Sequence, residues 1–122
     1  MQSLDAAALS AQRARSVLRG VCADALVSPP MTETALLLVS EIVTNAVVHG
    51  SGRPLLDIAV RPDVLRVTVT DDAADLPQVR RDTSVLSDGG RGLQLVEALA
   101  TRWGTDSRAP TGKSVWFELD HD

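Results

Sequence analysis

The chain has 122 residues, 44% hydrophobic and 23% charged, with a formal net charge of −4. That length is expected to form one domain (1–122) with a real core. The negative balance argues against broad electrostatic attachment to nucleic acid or an anionic membrane, and two Trp, one Phe and no Tyr argue against an aromatic base-stacking surface.

The first expected helix runs from about Asp5 to Val27, with Leu9, Ala14, Val17, Leu18, Val21, Ala25 and Leu26 as an apolar stripe. Cys22, the single cysteine, falls within it and reads as a buried structural thiol. Ser28-Pro29-Pro30 reads as its stop. A second helix, capped by Thr32, is expected to reach His49, and Gly50 to Pro54 form a turn. Leu55–Arg61 and Val64–Thr70 alternate as strands around Pro62-Asp63. From Asp71 to about Gly90 no period persists, which in so small a domain marks a functional segment. A third helix is expected from Arg91 to about Ala100. A closing hairpin pairs Trp103–Arg108 with Lys113–Leu119. The fold class that follows is α/β: a two-layer sandwich of three helices on a mixed, mainly antiparallel sheet.

No apolar run approaches the roughly 20 residues that span a bilayer, and the beginning of the chain lacks signal-peptide order. A cytoplasmic protein is therefore expected.

Three features point to a site. Glu41, Asn45 and His49 recur at four-residue intervals and form one stripe on the second helix. No Lys or Arg accompanies them between residues 34 and 50, although a solvated helix face remains the alternative reading. Asp71 ends a strand, where open sheets present ligand-facing residues; a turn starter is the alternative. Asp88-Gly89-Gly90-Arg91-Gly92-Leu93 is a glycine-rich turn opening into a helix, where exposed backbone amides can receive phosphate. Together they suit a nucleotide with Mg²⁺, a hard ion that prefers oxygen ligands such as an amide. Gly112-Lys113-Ser114 is no P-loop, because a strand follows it and the motif's earlier glycine is missing. Lys113 reads as a hairpin residue facing water and His121 as incidental; Arg80, Arg81 and Arg91 flank the long segment and are candidates to meet phosphates, with a solvated charge cluster as the equal alternative.

The segments Ser40 to Gly50, Gly89 to Gly104 and Gly112 to Leu119 resemble those of the Bergerat-fold ATP-binding domains shared by gyrases, histidine kinases and anti-sigma-factor serine/threonine kinases. The likeness is strongest to the stand-alone actinobacterial branch of that last group. The resemblance implies that Asn45 binds the Mg²⁺ bridging the ATP phosphates, that Glu41 is the catalytic general base, and that Asp71 accepts a hydrogen bond from the adenine amine. It places Gly90, Arg91, Gly92 and Leu93 near the phosphates, with His49 on the same side or at the helix end, and makes residues 72 to 90 a lid. It also implies phosphorylation of an anti-sigma-factor antagonist protein, binding of a sigma factor and a homodimer, while the charge balance already argues against direct contact with nucleic acid or membrane. The chain departs from the pattern at Ala73 and Asp75, where glycines are usual, and at Lys113, where many relatives have a threonine. Those departures motivate a second reading: a non-catalytic member that sequesters a partner and binds nucleotide weakly or not at all.

Overall fold

The computed structural model describes residues 2–3, 9–49, 54–71, 88–107 and 113–121. Its order is β1 (Gln2–Ser3), α1 (Leu9–Asp24), α2 (Pro29–His49), β2 (Leu55–Val60), β3 (Val64–Asp71), α3 (Asp88–Leu99), β4 (Arg102–Ser107) and β5 (Lys113–Asp120). The sheet is ordered β1-β2-β3-β5-β4, and every described pairing is antiparallel. The expected two-layer sandwich is present, but no parallel pair occurs among the described residues.

In α1, Ala14, Leu18 and Cys22 recur every fourth residue and are buried, while Arg13, Arg15 and Arg19 are exposed. The helix ends three residues before the expected Val27. The Val27 N–H donates to the Cys22 carbonyl at 2.9 Å and the Leu26 N–H to the Ala23 carbonyl at 3.2 Å, the two bonds of a Schellman cap. Leu26 occupies the left-handed position with φ of 59°, where glycine is the usual residue.

The prolines begin α2 rather than stopping α1. The first helical residues have no intrahelical acceptor for their N–H groups, so proline loses little there. Ser28, not Thr32, is the cap: its Oγ accepts from the Met31 N–H at 3.4 Å. α2 is flanked by α1 on one side and α3 on the other and also touches β3 and β5. Being enclosed, it buries Ala35, Leu36, Leu38, Val39, Ile42, Val43 and Ala46.

Beneath the helices, Leu65, Val67 and Val69 of β3 and Val115, Phe117 and Leu119 of β5 alternate inward and are buried. The β2–β3 hairpin closes through paired backbone bonds between Arg61 and Val64. β1 was not expected; it pairs Gln2 and Ser3 with Leu56 and Leu55. Among the described residues no helix is long and apolar enough to cross a membrane.

The topology collects particular ends at one pole. β3 finishes at Asp71, opposite the start of β5 at Lys113, which is also opposite the end of β4 at Ser107. α2 ends at His49, just before β2 leaves the same edge. Because α3 runs into β4 at the far edge, its beginning at Asp88 points back toward this pole.

Candidate functional site

α2 supplies the centre of that pole. Glu41 and Asn45 lie one turn apart, about 6 Å along the axis. Glu41 is half-buried. Asn45 is 6% exposed, so it belongs to no solvated face. No hydrogen bond to the Asn45 side chain occurs among the described residues. The one polar side-chain atom sealed from solvent without a partner there is His121 Nε2. Asn45 is therefore a nearly buried polar residue with no amide partner among the described residues, an unusual arrangement for a group that costs stability when left unsatisfied. An amide held in this way has the oxygen donor that a hard cation requires.

The glycine-rich turn is the first turn of α3, not a loop leading into it, since the helix starts at Asp88 rather than Arg91. Gly90 and Arg91 thus lie among the first four positions, where helical N–H groups have no intrahelical acceptor, whereas Gly92 and Leu93 lie one turn in, opposite the carbonyls of Asp88 and Gly89. Leu93 directs its side chain into the core and is 1% exposed, anchoring this turn against the rest of the fold. Asp71 is the last residue of β3. His49 is the last of α2. Residues 72–87, which include Ala73, Asp75, Arg80 and Arg81 and most of the expected lid, lie outside the described residues.

Lys113 was expected to face water and instead is 4% exposed. The sequence did carry the signal: Lys113, Val115, Phe117 and Leu119 share one parity on β5, so Lys113 extends the buried row. Its neighbour Ser114 belongs to the opposite parity and hydrogen-bonds Thr70 across the strands, Oγ to Oγ1, at 2.9 Å.

The sheet's outer face holds a charge network. Glu118 accepts from Arg66 at 2.9 Å and from Arg102 at 2.6 Å, and Arg102 also pairs with Asp120. The two guanidiniums hold the Glu118 carboxyl below its ordinary range, Arg102 contributing most. Arg66 also lies 4.1 Å over the Trp116 ring, a cation–π contact. Cys22 is buried as expected, and burial raises its thiol pKa, partly offset by a hydrogen bond with Thr32.

A cavity of about 640 Å³ opens at the other pole, lined by Ser28, Met31, Asp63, Val64, Arg102, Asp120 and His121. Carboxylates flank this cavity beside His121, and its arginine is already paired. Among the described residues no three His, Cys, Asp or Glu side chains cluster to hold a metal ion. The amide oxygen of Asn45 is of the donor type that Mg²⁺ takes beside phosphates, where one or two protein ligands and several waters usually hold it.

Comparison with known proteins adds a family. The model of the histidine kinase-like ATPase domain matches residues 4–119. No curated protein matches the chain.

Proposed function

The chain belongs to the histidine kinase-like ATPase domain family, and from that premise we propose that it binds ATP with Mg²⁺ at the α2–α3 pole and passes the γ-phosphate to a serine or threonine of a small antagonist protein of the anti-sigma-factor type. The observation that supports this most is Asn45: a residue only 6% exposed on the central helix, with no hydrogen-bond partner for its amide among the described residues. ATP binding is the family's general property; the kinase step and the partner are our finer reading.

In this reading Asn45 offers its amide oxygen to Mg²⁺, whose chemistry is to draw charge from the phosphate oxygens. The first turn of α3 supplies backbone N–H donors to the phosphates at Gly90 and Arg91, aided by the helix dipole, with Gly92 and Leu93 just behind them. Asp71 accepts from the adenine amine, and His49 shapes the phosphate side or closes the end of α2. Glu41 accepts the proton of the incoming hydroxyl as its oxygen bonds to the γ-phosphorus and the bond to the leaving ADP oxygen breaks. The phosphorylated antagonist then leaves, and the kinase is free to hold a sigma factor, as a monomer or a homodimer.

The alternative, a partner-sequestering module without transfer, draws on Lys113 in place of threonine and on Ala73 and Asp75. One experiment separates the two. Incubation with γ-labelled ATP, Mg²⁺ and a cognate antagonist should label the antagonist, and Glu41→Gln should cut transfer by about 10²–10⁴-fold while leaving ATP binding intact. Undiminished transfer by Glu41→Gln removes Glu41 as base. Tight antagonist binding with no transfer by the native chain favours the sequestering module.

A further inference from the structure

The sheet ends in two unlike edges. β1 closes one with only two residues, and β4 forms the other with six, Arg102–Ser107. Natural edges are commonly blunted by short length, proline or lysine. β1 has the first of these devices, and β4 has none. The backbone of β4 divides between its two sides. The Thr101 N–H donates to the Glu118 carbonyl at 2.8 Å and the Asp120 N–H to Thr101 Oγ1 at 3.0 Å, so Glu118 and Asp120 turn their backbone groups toward β4. The residues of β4 in register with that set, Arg102, Gly104 and Asp106, bond to β5. The N–H and C=O groups of Trp103 and Thr105 therefore point away from the sheet, and among the described residues no backbone bond from elsewhere reaches them. The helix-free face of this open edge is patterned as well: Arg102 and Asp106, both exposed, stand symmetrically about Gly104.

We propose that β4 is a self-association edge, along which a second copy of this chain pairs antiparallel about a two-fold axis at Gly104. In that register Trp103 of one copy meets Thr105 of the other, and each such pair exchanges the N–H···O bonds that the open edge leaves unmade. Gly104 faces Gly104 and Arg102 faces Asp106 as non-hydrogen-bonded pairs, the kind that brings side chains closest. Opposite charges opposed in this way stabilise a strand pair. Arg102 engages Glu118 and Asp120 through three of its N–H groups, and a guanidinium has five. Asp106 has no hydrogen bond or ion pair among the described residues. The neighbouring registers that keep the open groups opposed lose the match: moving the axis to Thr105 sets Asp106 against Gly104, and moving it to Trp103 does the same to Arg102. The glycine serves the contact too. Trp116 lies over Gly104, so closely that a Cβ there would stand 2.7 Å from the ring, and Trp116 is partly exposed. Adjacent strands stand about 4.8 Å apart, so the two indoles meet over the glycine pair and bury apolar surface there. The occupant is a second copy rather than a foreign strand because the edge is complementary to itself. None of these residues belongs to the proposed ATP site, so the contact stands apart from that reading.

The test is analytical ultracentrifugation, over a concentration series, of the native chain, Asp106→Arg and Thr105→Pro, each checked for a native far-ultraviolet dichroism spectrum. Asp106→Arg sets arginine against Arg102 at both ends of the pairing. Thr105→Pro removes an outward N–H at an edge position, where a sheet tolerates proline. The native chain should form a reversible dimer that each variant weakens by roughly tenfold or more. A native chain that stays monomeric throughout the series overturns the proposal. So does a native dimer that either folded variant leaves undiminished, since the contact would then lie on another surface or in another register. If Thr105→Pro loses the native spectrum, Asp106→Arg, at an exposed side chain, decides alone.

Discussion

At the level of single residues the chain carries strain where it has no use for it and tolerates a misfit where it does. Leu26 holds a left-handed backbone (φ of 59°) and is 87% exposed, so its side chain gains little burial in return. A left-handed conformation costs an ordinary residue about 1–2 kcal/mol. Leu26→Gly should therefore stabilise the protein by about 1 kcal/mol, raising the melting temperature by roughly 4 °C; an unchanged or lower melting temperature contradicts the cap assignment. Gly104 is the opposite case. A Cβ there would fall 2.7 Å from the Trp116 ring, which Arg66 covers from its own side. Gly104→Ala should cost about 1–3 kcal/mol by overpacking and shift tryptophan fluorescence. Asn45 is the functional misfit: Asn45→Ala should leave the unliganded protein within about 1 kcal/mol of native stability, because a poor helix former with an unsatisfied amide is removed. Asn45 was legible in the sequence as part of the Glu41–Asn45–His49 stripe. The burial of Lys113 was written in the parity of its strand as well, but its charge pointed to solvent and outweighed that signal.

At the level of elements, most of the fold could be read where a period persists. The alternation in β3 and β5 survives because one face of each is covered by helices and the other is not. What was misread lies at boundaries, where one residue type serves two purposes. Pro29 and Pro30 stop a helix from behind and start one in front, and only the Ser28 cap bond decides between them. Gly89 and Gly90 have poor helix propensity, yet they fall in the first turn of α3, where backbone N–H groups have no intrahelical acceptor. β1 has two residues and no pattern to detect. The outer face of β3, β4 and β5 carries a pH-dependent element. Glu118 has its pKa lowered by Arg102 and Arg66, so its contribution to stability is full above the ordinary Glu value of about 4.3 and is lost as pH falls through the lowered one. Stability curves should therefore decline on acidification below that range, less steeply in Glu118→Gln; identical curves contradict the network's part in the fold.

At the level of the whole molecule, the account rests on two poles with different contents. One collects the end of α2, the start of α3, the end of β3 and the start of β5, which brings an amide, helical N–H groups and the Asp71–Lys113 rung to one place. The other holds a cavity whose arginine is already neutralised by Glu118 and Asp120. Function assigned to the first pole requires Mg²⁺ and ATP to bind there together and to stabilise the folded chain by mass action, by about 2.7 kcal/mol at a hundred times the dissociation constant. The most direct test is a calorimetric titration of ATP into the native chain and Asn45→Ala, each with and without Mg²⁺. The account predicts saturable binding by the native chain that Mg²⁺ strengthens, and at least tenfold weaker, Mg²⁺-insensitive binding by Asn45→Ala. ATP binding of equal strength and equal Mg²⁺ dependence in both proteins would contradict it.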